Sequence, residues 1–347
     1  MLILSGLPIP FFGIGAMRAG STWLSDLLRS YPDCALAQRG ELHFFDIRYG
    51  QYSARKWYLS MAARLESLTR SAVKGVADSI AGMEDGMPDD DEDREEDAEA
   101  DRLDGTPVLA WTDEVRNDFF RRAAIDDALR EICDIIEQLS IVDADSYVRY
   151  LMRHSAGANA FGEISSGYAL LPATAFAEID ALFPQARFIF IMRDPVERLW
   201  SQIRSKAEKA ERRGRRPGDL NREFRRALAR PDAVELSTYQ YTIRNLECVV
   251  PAGRILYLFY ENMTSHVTGP DEIRRIETAL GLAPADIDLK LFRTTVNRSP
   301  SIQLDPDNVA AATELFSHVY RFVQQRFGEA SGWKYPVAAR GRTRSSG

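Results

Sequence analysis

Apolar residues follow two rhythms along this chain. Short, largely apolar runs occur at 9–14 (IPFFGI), 187–192 (RFIFIM) and 254–260 (RILYLFY) and predict buried strands, and the same pattern resumes at 160–164 (AFGEI). Between them the apolar positions take helical spacing. Trp23, Leu24, Leu27 and Leu28 share one face of a helix over 21–30, with Ser21 or Thr22 near its start and Pro32 beyond its end. Further helices are predicted at 174–183, from Asp194-Pro195 through VERLWSQIRSKAEKA, at 271–280 before Gly281, and over 307–327 with Val309, Leu315, Phe316, Val319, Phe322, Val323 and Phe327. Strands separated by helices predict an α/β fold with a mostly parallel sheet. Ile132, Ile135, Ile136 and Leu139 mark a helical stretch within 111–154, so 52–159 is expected to be an inserted, largely helical region.

Composition adds exclusions. With 45% apolar and 27% charged residues, the 347-residue chain lies in the ordinary globular range, which excludes collagen-like, wholly disordered and disulfide-scaffold classes. Cys34, Cys133 and Cys248 are far apart and form no CxxC pattern, so reduced thiols in a cytoplasmic compartment are expected. No apolar run approaches the ~20 residues of a membrane helix. The opening MLILSGLPIPFF lacks a basic leader, is broken by Pro8 and Pro10, and reads as the approach to a first strand.

Charge is unevenly placed. The formal net charge is −7, but residues 84–104 alone hold 13 acids and two arginines. The remainder carries 38 acids against 42 bases. An acidic segment, expected to be disordered or an exposed loop, is thus attached to a mildly basic body suited to an anionic ligand. The basic run 204–216 holds seven Lys/Arg and two Glu, and reads first as a solvated helix end. It lacks interleaved aromatics, which argues against nucleic acid.

Three constellations carry candidate chemistry. The first is strand, then Gly15-Ala16-Met17-Arg18-Ala19-Gly20-Ser21-Thr22, then helix, which is the layout of a phosphate loop. Glycines let the backbone approach an anion, and the free N–H groups at the helix start attract oxyanions. The glycine spacing is that of a Walker A loop, but Ser21 stands where the lysine belongs, and the cation is Arg18 inside the loop. The second is Arg193-Asp194-Pro195-Val196-Glu197-Arg198-Leu199-Trp200-Ser201, just past a strand end, where open α/β sheets bind ligands. Arg193 and Ser201 suit a phosphate, and two anion-ready strand ends suggest a nucleotide with phosphates at two separate positions. The third is Glu41-Leu42-His43-Phe44-Phe45-Asp46. Read as extended chain, it puts Glu41 and His43 on one side and buries Phe44 and Phe45, and a carboxylate beside apolar walls can act as a general base. The four histidines (His43, His154, His266, His318) are scattered, with no metal-ligand cluster. These patterns leave open a P-loop nucleotide kinase or hydrolase and a non-catalytic nucleotide-binding protein.

In order along the chain, these motifs resemble the sulfotransferases that use 3′-phosphoadenosine 5′-phosphosulfate (PAPS), nearest to the heparan sulfate or glycosaminoglycan type and its bacterial relatives. RAGSTWL (18–24) resembles the family's 5′-phosphosulfate loop, RDPVERLWS (193–201) its 3′-phosphate motif, and ELHFFD (41–46) with KWYL (56–59) its acceptor-side motif. GEISSGY (162–168), RILYLFYENM (254–263) and the final helix ending near GW (332–333) are similar too.

The resemblance implies a P-loop-like three-layer α/β fold, one sulfotransferase domain over 1–347 with a disordered tail at 336–347, and transfer of a sulfuryl group to a hydroxyl or amine on a small-molecule or carbohydrate acceptor. It implies no metal. It implies that Arg18, Ala19, Gly20, Ser21, Thr22 and Trp23 meet the 5′ end of the donor, that Arg193 and Ser201 hold its 3′ phosphate, and that Arg298 adds to the nucleotide site. Glu41 matches the general base, with Arg18 and His43 as catalytic neighbours and His43 and Asp46 toward the acceptor. Ile164 stands where the heparan sulfate enzymes carry an active-site lysine.

Overall fold

A computed structural model of the chain describes residues 8–37, 41–84, 127–284, 303–328 and 332–333. The acidic stretch beyond Glu84, Arg298 and the tail at 336–347 lie outside them. The chain divides into two compact units: Met1–Ala54 with Asp143–Gly347, and Arg55–Val142.

The larger unit is built on five strands: β1 (Ile9–Gly15), β2 (Cys34–Leu36), β3 (Ala160–Ile164), β4 (Arg187–Met192) and β5 (Ile255–Phe259). Their order is β2-β3-β1-β4-β5, and every pairing is parallel. Parallel strands need crossover connections, and helices supply them. Phe11 and Phe12 point to opposite faces of β1, yet both are fully buried, as are Phe188, Ile189 and Phe190 on β4. Helices must therefore cover both faces, which is why these strands read as unbroken apolar runs. Each buried phenylalanine adds roughly 1.5–3 kcal/mol of burial. The edge strand β2 is only three residues long, too short for its apolar residues to mark it as a strand by pattern; it pairs with β3 at Cys34–Ala160.

The helices follow most of the predicted pattern. Ser21–Arg29 buries Trp23, Leu24, Leu27 and Leu28. Pro195–Arg212 begins with Asp194 as N-cap, whose carboxylate accepts from Val196 N and Glu197 N. Gly269–Leu280 ends at Gly281 in the left-handed conformation. Two expectations fail. The helix expected over 307–327 is two, Pro306–Leu315 and Ser317–Phe327, broken at the fully buried Phe316. The extended reading of 41–46 gives way to a helix, Phe44–Arg48, which puts Asp46 rather than Phe44 fully inward.

In the smaller unit, the helix Ala54–Glu84 and a helix over 127–139 are joined by an ion pair between Arg64 and Glu131. The helical stretch then breaks, because Asp143 caps a separate helix, Ala144–Arg153, through a reciprocal box with Ser146.

Candidate active site

Leaving β1, the chain turns toward β2 and β3; leaving β4, it turns toward β5. The carboxyl ends of β1 and β4 therefore flank a topological switch point, the place where open α/β sheets receive ligands. Both candidate anion loops emerge there.

The first loop is held close to the sheet: Ala16 N donates to Ile191 O at 2.7 Å on β4. Gly20 sits at φ 106 as N-cap of Ser21–Arg29 and brings no side-chain cap. A Cβ there would lie 2.9 Å from Tyr260 Cδ2, so only glycine fits. The first-turn N–H groups have no helical partner and are offered outward. Arg18 itself lies at φ 66, a conformation rare for a non-glycine residue. Ala19 and Trp23 are buried, Ser21 is half-buried and Thr22 is exposed.

The two anion motifs meet. Arg18 Nε lies 3.3 Å from Ser201 Oγ, and Arg193 Nη1 donates to Arg18 O at 3.1 Å. The loops after β1 and β4 are thus in direct contact. Arg193 lies over the Tyr260 ring, 4.2 Å from guanidinium carbon to centroid, and its side chain is 12% exposed. Tyr239 donates its hydroxyl to Arg193 O at 2.6 Å, fixing the backbone there. Beneath the pair, Arg198 is fully buried and donates to Ser237, Gln202 and Ala233 O. Burial, with Arg193 and Arg18 adding to it, pushes Arg198 down to about 10. Burial first, and Arg193 next, also lower Arg18. Crowded, part-desolvated guanidiniums are relieved by an anion. Arg193 Nε supports that reading, being buried with no hydrogen-bond partner.

The acceptor-side motif forms one hydrogen-bonded chain. Ser166 Oγ donates to Glu41 Oε1 at 2.5 Å. Glu41 Oε2 lies 3.2 Å from His43 Nε2, and Asp46 Oδ2 lies 2.7 Å from His43 Nδ1. Burial pushes His43 down, but the hydrogen bond and charge of Asp46, with Glu41, outweigh it, and its pKa is raised. Tyr52 stacks flat on the imidazole, 4.0 Å between centroids. Gly167 lets Asp46 pack this closely, since a Cβ there would lie 2.3 Å from Asp46 Oδ2.

Behind this chain lies Glu163, 1% exposed. It accepts from Tyr147 Oη, from Tyr168 Oη at 2.7 Å and from Ser165 Oγ at 2.8 Å. Tyr168 Oη in turn accepts from Phe45 N at 3.2 Å, which ties the carboxylate to the start of the Phe44–Arg48 helix. Sequence reasoning flagged the segment holding Ser166, Tyr168 and Glu163 but gave these residues no part. One signal was present: a glutamate inside an apolar strand has to be satisfied by buried donors. Tyr52 and Tyr260 left no such signal.

An α/β sheet with a glycine-rich anion loop at its switch point, a second arginine loop beside it and a carboxylate–imidazole chain defines a group-transfer enzyme on a nucleotide-binding fold. More specifically, the chain belongs to the sulfotransferase family, whose pattern matches residues 10–286. That is an enzyme family using PAPS. No curated protein matches the sequence. Among solved structures, the chain is similar to a sulfotransferase from Alicyclobacillus acidocaldarius at 17% identity, covering 92% of this chain and 95% of that one with a TM-score of 0.52, a likeness of fold. It is also similar to the sulfotransferase domain of the Synechococcus PCC 7002 olefin synthase, at 16% identity and a TM-score of 0.38 over 90% and 88% of the two chains.

Proposed function

We propose that this sulfotransferase moves the sulfuryl group of PAPS to a hydroxyl or amine on a small-molecule or carbohydrate acceptor, by in-line displacement with Glu41 as general base. The observation that carries the reading is the contact of Arg18, Arg193 and Ser201 across the ends of β1 and β4. PAPS supplies a sulfuryl group on a phosphate leaving group. The first-turn amides and Arg18 are suited to the charge that develops on the leaving oxygen, and positioning with electrostatics carries the rate. Arg193 and Ser201 would hold the 3′ phosphate.

Glu41 already accepts a hydrogen bond from the Ser166 hydroxyl, so it is geometrically able to meet the hydroxyl or amine of an acceptor and take its proton. His43 and Asp46 orient that carboxylate. The test is turnover of PAPS with a broad acceptor panel, followed by mass. Glu41→Gln is expected to lower kcat by ~10²–10⁴ with nucleotide affinity unchanged. Full turnover by this variant would remove Glu41 from the role.

A further inference from the structure

By its sequence the basic run after Ser201 reads as a solvated helix end. Lys206, Lys209, Arg212, Arg213, Arg215 and Arg216 are indeed exposed, but Arg204 is not. It lies three residues beyond Ser201 on the helix Pro195–Arg212, and therefore on the same face. That face meets the first loop through the Ser201–Arg18 contact.

Arg204 Nε is buried with no hydrogen-bond partner, and no ion pair reaches this side chain among the described residues. Its charge repels Arg18, as Arg193 does more strongly, while Glu208 one turn further on attracts it. A buried guanidinium N–H without an acceptor is costly. Here two arginines with unpartnered Nε atoms, Arg193 and Arg204, act on one further arginine. An oxyanion bound beside Arg18 would offset this repulsion and offer the Arg204 Nε an acceptor.

We propose that Arg204 is a third cation of the nucleotide site, holding an oxyanion of the donor beside Arg18. The proposal rests on the PAPS reading above and adds a contact outside the motifs that suggested it.

The oxyanion has two sources, a phosphate or the sulfuryl group, and two probes separate them. Adenosine 3′,5′-bisphosphate and PAPS are titrated calorimetrically, over a range of salt, into the full-length protein and into Arg204→Gln, Arg204→Lys and Lys209→Gln. Arg204→Gln is expected to weaken binding about 10- to 100-fold, as for a lost charge-assisted hydrogen bond. It is also expected to flatten the salt dependence, which loss of packing alone would not do. Arg204→Lys keeps the charge and retains part of the affinity, and also serves should the glutamine variant fold poorly. Lys209→Gln binds as wild type. Weakening of both nucleotides assigns a phosphate; weakening of PAPS alone assigns the sulfuryl group. Wild-type affinity and salt slope for both nucleotides in Arg204→Gln overturn the proposal. If the wild-type protein binds neither, the donor reading itself falls, and the proposal with it.

Discussion

His43 has a carboxylate at each ring nitrogen, Glu41 at Nε2 and Asp46 at Nδ1. With both nitrogens donating, the imidazolium is the favoured form, which is why its pKa rises despite burial. The linkage has a definite sign. A histidine whose folded pKa exceeds the ordinary value of 6.5 adds stability that is complete below that pH and is lost as pH climbs through the folded value. Urea midpoints measured from pH 6 upward are therefore expected to decline, and His43→Gln to show a shallower decline over the same window. An identical slope in both proteins would mean that His43 is not the titrating group. The residue types and spacing of 41–46 were legible in the sequence. The helix that begins at Phe44 was not, because the hydrogen bond that fixes its start, from Phe45 N to the Tyr168 hydroxyl, comes from a partner distant in sequence.

At the scale of elements, the first loop depends on one backbone conformation. Gly20 combines φ 106 with a close approach to Tyr260, and Tyr260 also faces Arg193. Gly20→Ala has to strain the backbone and displace that ring. A backbone held against its preference costs of order 1–3 kcal/mol. The variant is expected to fold, with native far-ultraviolet circular dichroism, and to bind adenosine 3′,5′-bisphosphate more than tenfold more weakly, as ~1.4 kcal/mol already gives tenfold. Wild-type affinity would show that the loop adapts. The same scale shows where periodicity misleads. Apolar spacing continues through 307–327, yet the helix breaks at Phe316, whose ring is buried completely. A helical pattern records which side faces the core and is silent about a bend that lets both segments reach it.

Across the larger unit, the candidate nucleotide site joins the ends of β1 and β4 with helices from two stretches of sequence. A ligand that binds only the folded form stabilises it by RT ln(1 + [L]/Kd), about 2.7 kcal/mol at a hundredfold excess over Kd. Adenosine 3′,5′-bisphosphate is accordingly expected to raise the melting temperature, with a smaller rise for adenosine 5′-phosphate, which lacks the group assigned to Arg193 and Ser201. Equal rises from both would detach these two residues from the 3′ phosphate.

The apolar runs by themselves determined that β1, β3, β4 and β5 are strands, because a strand covered by helices on both faces, as β1, β3 and β4 are, has no room for polar alternation. The glycines of the first loop and the Asp194-Pro195 cap were equally local, since they answer to backbone geometry within a few residues. Only the tertiary structure decided that Arg18 touches Ser201, 183 positions away, that Glu163 is satisfied by Tyr147 and Tyr168, and that Arg204 alone of its basic run is half-buried. The physical reason is the same each time. A charge in the sequence carries no record of its partner or its burial, and both are set when distant elements close over it.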